Sequence, residues 1–205
     1  MIDLIFDTET TGFARFKDPW GHPKQPHVVQ IAARLVENGQ LCAAFQTIVN
    51  SGIASDPGAL EVHGITLEIQ EKAGLLPWCV AATISSMLDK SDRIVAHNLK
   101  FDIILVGALL YRNGESDTAG KLKNKPKFCT MQALTPVMKI PGSRGGYKWP
   151  KLIEAYKEFI DPAGFEGAHD AMADVIACEK VFNYCKSIGI VPTDDCRPLS
   201  PGMAV

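Results

Sequence analysis

Phe6-Asp7-Thr8-Glu9-Thr10-Thr11-Gly12 continues a short apolar run, Ile2-Asp3-Leu4-Ile5, which reads as a buried strand at the head of the chain. Side chains alternate faces in an extended segment, so Asp7 and Glu9 leave on the same side. Two adjacent anions repel one another unless a cation lies between them or one takes up a proton. Oxygen donors with no Cys or His beside them suit Mg²⁺ or Mn²⁺ better than zinc. Thr10-Thr11-Gly12 adds hydroxyls, backbone N–H groups and a residue without a Cβ, all usable against a phosphate or a ribose. The stretch therefore reads as the first half of a metal-dependent phosphodiesterase site.

The 205 residues, 46% hydrophobic and 21% charged, fit one large domain with a core that needs no covalent staples. A formal charge of −2 argues against non-specific coating of nucleic acid but permits a locally basic groove. The six cysteines, Cys42, Cys79, Cys129, Cys178, Cys185 and Cys196, form no C-x-x-C pair. They read as reduced thiols in a cytoplasmic protein, not as a zinc site or a disulfide framework. With a strand carrying an acid at its start, no signal peptide is expected, and with no apolar run of membrane-spanning length, no membrane partner is expected.

Phe13 to His27, with Pro19, Gly21, Pro23 and Pro26, is a loop. Val28–Val36 and Leu41–Val49 are strand-like and joined by Asn38-Gly39, a strong hairpin signal, so the sheet begins antiparallel. Pro57 suits the first position of a short helix, and Thr66 caps a second that runs to Lys72. A helix over Pro77–Leu88, a buried strand Arg93–Ala96 and a helix Leu99–Tyr111 follow. Glu115–Lys127 reads as a polar loop whose four lysines are either solvated or placed against a nucleic-acid backbone. Then come a brief strand Phe128–Thr130, a helix Met131–Met138, a flexible loop Gly142–Gly146 and a helix from Pro150 to Phe159. A last helix, Ala171–Ser187, is capped by Asp170 and followed by a proline-bearing tail. Nothing repeats.

Two later segments supply further acids. Ala96-His97-Asn98-Leu99-Lys100-Phe101-Asp102 sets Asp102 in the first turn of a helix after a strand. His169-Asp170-Ala171-Met172-Ala173-Asp174 sets Asp174 just inside the last helix, with His169 on the connection before it. Strand ends and helix starts meet at one edge of an α/β sheet, where ligands bind.

On these three segments the chain resembles the DEDDh (DnaQ-like) 3′–5′ exonucleases, the group that includes the proofreading subunit of bacterial DNA polymerase III. The likeness runs from Ile2 to about Lys186 and takes in Glu61-Val62-His63-Gly64-Ile65-Thr66 and Lys148-Trp149-Pro150-Lys151-Leu152. A sister subfamily has Tyr four residues before the last Asp; here that position is Asp170 and His169 stands five before, which indicates the His subfamily. The resemblance implies an RNase H-like α/β fold, a mixed five-stranded sheet flanked by helices. It also implies one exonuclease domain over residues 1–190 with a flexible tail over 191–205.

It further implies two divalent ions, Mg²⁺ or Mn²⁺, held by Asp7, Glu9, Asp102 and Asp174, with His169 as general base on the attacking water. Substrate contacts would fall on Thr10, Thr11, Gly12, Phe13, Val62, His63 and Asn98. For Phe13 a wedge between the last two bases competes with core packing. For Asn98 a turn-closing role competes with substrate orientation, and His97 is expected to be a buried, hydrogen-bonded histidine. Trp20, His22, His27 and Trp149 are expected to be structural. The implied partner is nucleic acid with a free 3′ end, single-stranded DNA before RNA, in proofreading or repair; a DNA polymerase or a homodimer are both open as assemblies. A non-catalytic binding module is the reading from another class, and the filling of all five catalytic positions speaks against it.

Overall fold

The computed structural model describes residues 1–143 and 145–192. A five-stranded sheet has the order β3-β2-β1-β4-β5. Strands β1 (Ile2–Thr10), β2 (Val28–Glu37) and β3 (Gln40–Ile48) are antiparallel, whereas β1, β4 (Arg93–Ala96) and β5 (Lys127–Cys129) run parallel. Asn38 and Gly39 both take positive φ, 51° and 85°, as a two-residue hairpin matched to strand twist requires.

The period-2 alternation of β1 builds two cores. Leu4 and Phe6 face a layer made by α3 (Pro77–Lys90), α4 (Leu99–Arg112) and α5 (Ser116–Asn124). Ile5, with Ala32 and Val95, faces α7 (Leu152–Phe159) and α8 (Ala171–Ser187). Between these come α1 (Pro57–His63), α2 (Leu67–Ala73) and α6 (Thr130–Met138). Thr66 caps α2 through Ile69 N–H at 3.2 Å.

Helix α8 is fastened to the sheet at three levels. At its start Asp170 meets Gln30 and Gln46; at its middle Glu179 pairs with Arg34 at 2.7 Å. At its end Lys186 reaches the buried Asp3 at 2.8 Å, and Arg93 takes the other Asp3 oxygen at 2.7 Å. With both oxygens paired, the buried carboxylate is held in one orientation, and removal of either cation leaves one buried oxygen without its partner. This fastening sets Asp174 over β1.

Two sequence expectations change. Glu115–Lys127 is not a loop, because Ser116–Asn124 is helical and buries Thr118, Ala119 and Leu122. Three of its four lysines bind the protein itself: Lys121 pairs with Asp89, Lys125 donates to Ser91 O, and Lys127 donates to Lys123 O and Lys125 O. Lys123 is exposed. The polar surface hid three inward positions spaced i, i+1 and i+4. Helix α7 starts at Leu152, with Glu154 reaching back to Lys151 N–H at 2.9 Å, and not at Pro150. Five cysteines, Cys42, Cys79, Cys129, Cys178 and Cys185, are free thiols. No helix among the described residues is long and apolar enough to cross a membrane. Arg144, Cys196 and the expected tail beyond Pro192 lie outside the described residues.

Candidate active site

β1 pairs with β4 only as far as Ile5↔Val95, then runs on to Thr10. Asp7 and Glu9 therefore stand beyond the end of β4, where β1 has an antiparallel neighbour on one side and the turn into α4 on the other. This is a switch point of the sheet. On the α8 face lie Asp7, Glu9 and Asp174. On the opposite face Thr8 donates its hydroxyl to Asp102 Oδ1 at 2.8 Å, tying the first turn of α4 to the same strand.

The acids strain one another. Burial first, then the charges of Asp102, Asp174 and Glu9, push Asp7 well above the usual carboxylate range. Glu9 is pushed up to about 8 by burial and by Asp174, and Asp102 to about 7 mainly by burial. Asp174 is raised by burial, against a pull from the His169 N–H that it accepts at 3.0 Å. Ligand atoms of Glu9, His169 and Asp174 lie within 4.8 Å of one another. Four crowded carboxylates of this kind, hard donors lifted by burial and mutual repulsion, fit divalent cations: an ion relieves both penalties at once.

His169 adopts φ of 73°, a left-handed conformation unusual for a residue with a Cβ, and is exposed. The strain is held by Asp170, whose Oδ1 accepts from Met172 N–H and Ala173 N–H at 3.1 and 3.2 Å. Its Oδ2 accepts from Gln30 Nε2 and Gln46 Nε2 at 3.1 and 2.8 Å. Asp170 is thus a helix cap. Gln30 and Gln46 were missed by sequence reasoning; the only signal was a glutamine in each hairpin strand on the sheet face that carries Ala32 and α8.

Two cavities flank the acids. One, of about 440 Å³, is lined by Asp7, Asn98, Trp149, His169 and Asp174 among others. Asn98 begins α4 with φ of 64° and faces this cavity, so it both closes a turn and borders the site. His97, half-buried and not fully enclosed as expected, lines the same cavity: Nε2–H donates to Pro150 O and Nδ1 accepts from Thr130 Oγ1, each at 2.9 Å. A carbonyl can only accept, so Nε2 carries the proton, and burial pulls this histidine down to about 4.

The second cavity, of about 410 Å³, is lined by Glu9, Thr10, Gly12, Phe13, Val62, His63 and other groups. Phe13 is 89% exposed, which removes the core-packing reading. Val62 is half exposed, and His63 is fixed by Nε2–H donation to Thr10 O at 3.2 Å and by the Ile65 N–H on Nδ1 at 3.0 Å. The Thr10 hydroxyl bonds Gly12 O at 2.8 Å, and that of Thr11 accepts from His27 N–H at 2.9 Å. These hydroxyls shape the turn, and Thr11 lines neither cavity. A Cβ on Gly12 would overlap the Asp56 carboxylate, so a larger residue there would push that exposed side chain aside.

Fold, acids and histidine together define a DEDDh-type nuclease site. The chain belongs to the exonuclease family of the RNase T type, whose sequence profile matches residues 4–182. It is 30% identical over 112 residues, 54% of its length, to the 3′-5′ exonuclease DinG of Bacillus subtilis (strain 168), of which it spans 11%. E. coli exonuclease I in complex with a dT13 oligonucleotide superposes with a TM-score of 0.73 at 20% identity, over 91% of this chain and 41% of that one. The zinc ion-bound form of its single-stranded DNA complex gives 0.72 at 20% identity, over 92% and 41%. The chain thus spans about two fifths of those structures, which share its RNase H-like fold.

Proposed function

We propose that this protein is a 3′–5′ exonuclease that hydrolyses the terminal phosphodiester of DNA, single strands preferred, and releases nucleoside 5′-monophosphates. The observation that carries the reading is the meeting of Asp7, Glu9 and Asp174 on one face of β1, Asp102 on the other, and His169 beside them. Asp7, Glu9 and Asp174 would hold one divalent ion, Mg²⁺ or Mn²⁺, and Asp7 with Asp102 a second. Such ions supply an acidified water and charge neutralisation at the leaving 3′ oxygen.

The chain's own residues divide the remaining work. His169, exposed at the mouth of the cleft, takes the proton of the attacking water through its imidazole. The Asp174 carboxylate orients it by accepting its backbone N–H. Phe13, Val62 and His63 receive the terminal nucleotide, and Asn98 borders the scissile position. The DNA preference is supported by the single-stranded DNA bound in the exonuclease I structures.

The test is a digestion time course with Mg²⁺ on 5′-labelled DNA and RNA of one sequence, wild type beside Asp7→Ala. A DNA ladder that shortens from the 3′ end, is abolished by EDTA and is absent in the variant is expected. Faster loss of RNA would move the enzyme to RNA trimming. Retained binding without shortening of either substrate would overturn catalysis by the chain alone.

A further inference from the structure

We propose that the Phe13–His27 loop is a preformed platform for the single strand beyond its two terminal nucleotides, with Phe16 stacking on a base and Lys17 and Lys100 meeting backbone phosphates. The proposal rests on the exonuclease reading of the adjoining site for the identity of the strand, but its surface argument is independent of catalysis.

Fifteen residues without helix or strand are long for a connection in a compact domain and call for a role. This loop is built, not slack. Its base is closed by Thr11 N–H to His27 O at 2.8 Å and by His27 N–H to the Thr11 hydroxyl. At its centre the buried Gln25 accepts from Arg15 N–H at 3.0 Å and donates to Arg15 O and Asp18 O at 2.9 and 3.2 Å. Arg112 of α4 donates to the carbonyls of His22, Gln25 and Pro26. Trp20 and the Gly21 backbone lie so close to Gly107 and Tyr111 that a Cβ on either glycine would overlap the facing ring.

The outward face is of another kind. Phe13, Arg15, Phe16 and Lys17 are all exposed, aromatic and basic side chains interleaved within five residues. The loop carries three cations, Arg15, Lys17 and Lys24, against one acid, Asp18, in a chain of net charge −2. Asp18 takes Arg15. Among the described residues no carboxylate lies within ion-pair reach of Lys17, Lys24 or Lys100. The Lys100 ammonium stands 5.5 Å from the Phe16 ring centroid, and its neighbour Phe101 lines the same cavity as Phe13 and Glu9. The patch is therefore continuous with the nucleotide cavity. Exposed aromatics beside unpaired cations on a rigid support match a single-stranded nucleic acid, whose bases stack and whose phosphates attract.

The test is fluorescence anisotropy in EDTA with a labelled oligothymidylate of about 16 nucleotides, comparing wild type with the Phe16→Ala, Lys17→Ala, Lys100→Ala triple variant. The expected result is about tenfold weaker binding and a salt slope shallower by about 1.4, two phosphate contacts at about 0.7 each. Hydrolysis of the p-nitrophenyl ester of thymidine 5′-monophosphate with Mn²⁺, which engages the catalytic pocket alone, is expected to be unchanged. Equal affinity and slope in the two proteins, or no binding by wild type, would overturn the platform. Loss of binding with no ester hydrolysis by wild type would overturn the catalytic reading and leave the platform standing. If the triple variant alone loses ester hydrolysis, Lys17→Glu at its solvent-facing position repeats the comparison, and an unaltered salt slope there overturns the proposal.

Discussion

Thr8 and Asp102 join opposite layers of the domain through one hydrogen bond of 2.8 Å, from a strand hydroxyl to a helix carboxylate. Burial, with a smaller push from the Asp174 charge, drives Asp102 upward, and the Thr8 hydroxyl opposes that drive by stabilising the anion. Thr8→Val keeps the shape and removes the donor. Asp102 then rises further above about 7 and holds a proton at neutral pH, where it cannot serve a cation. Nuclease activity at neutral pH is expected to fall roughly tenfold, one pKa unit's worth, and to return as pH rises. A pH–rate profile superimposable on that of wild type would show that Asp102 needs no such support.

His169 is both strained and exposed, so two substitutions separate its backbone from its ring. His169→Ala and His169→Asn should each lose about 10²–10⁴-fold in turnover, the worth of a positioned general base, while still binding metal and DNA. Asn tolerates the left-handed conformation better than Ala, so the Asn variant should melt higher by about 1 kcal/mol of stability. Single-turnover rates beside thermal melts make the comparison. An unchanged rate in the Ala variant would remove His169 from the mechanism.

Phe13→Ala tests whether the exposed ring contributes to substrate or to fold. At 89% exposure its removal should change stability by less than about 0.5 kcal/mol. Loss of a stacked base should weaken binding of single-stranded DNA by about 1–3 kcal/mol. A lowered melting temperature with unchanged DNA affinity would reverse the assignment.

The sheet was legible because β1 and the Asn38-Gly39 hairpin follow local rules, alternation and turn chemistry, that tertiary contacts did not oppose. The spacing of Asp7 and Glu9, and the placing of Asp102 and Asp174 in first helical turns, marked the acids before any contact was known. Helix α5 was hidden because its polar outer face dominates a nine-residue segment and its apolar side is only three residues wide. Gln30 and Gln46 were illegible for a different reason. They act on Asp170 from 140 and 124 residues away, and no local pattern encodes a contact of that separation.

That pair of glutamines predicts a positioning effect. In Gln30→Ala with Gln46→Ala, Asp170 Oδ2 loses both donors and Ala171 N–H loses its acceptor, while Oδ1 still caps α8. The His169 segment should loosen, which lowers kcat several-fold with little change in KM. Stability should fall by about 1–2 kcal/mol, the worth of one or two buried polar contacts. Equal kcat at a lower melting temperature would make the clamp purely structural.

The crowded carboxylates also predict how the metal-free protein responds to pH. Glu9 titrates near 4.5 when free and at about 8 in the fold. Between those values the folded state binds more protons than the unfolded one, so stability falls as pH rises. The stabilisation from a protonated Glu9 is complete below about 4.5 and gone above about 8. Melts in EDTA from pH 5 to pH 9, bracketing most of that window, should show wild type losing stability relative to Glu9→Gln, on the order of a few kcal/mol. At the alkaline end the variant should be the more stable protein although it has lost a ligand, because the repulsion that cations relieve is removed with it. Mn²⁺ should raise the melting temperature of wild type most at high pH and that of the variant much less. Parallel melting curves for the two proteins across the range would mean that Glu9 is already relaxed in the fold, and that the site does not store the repulsion inferred from its burial.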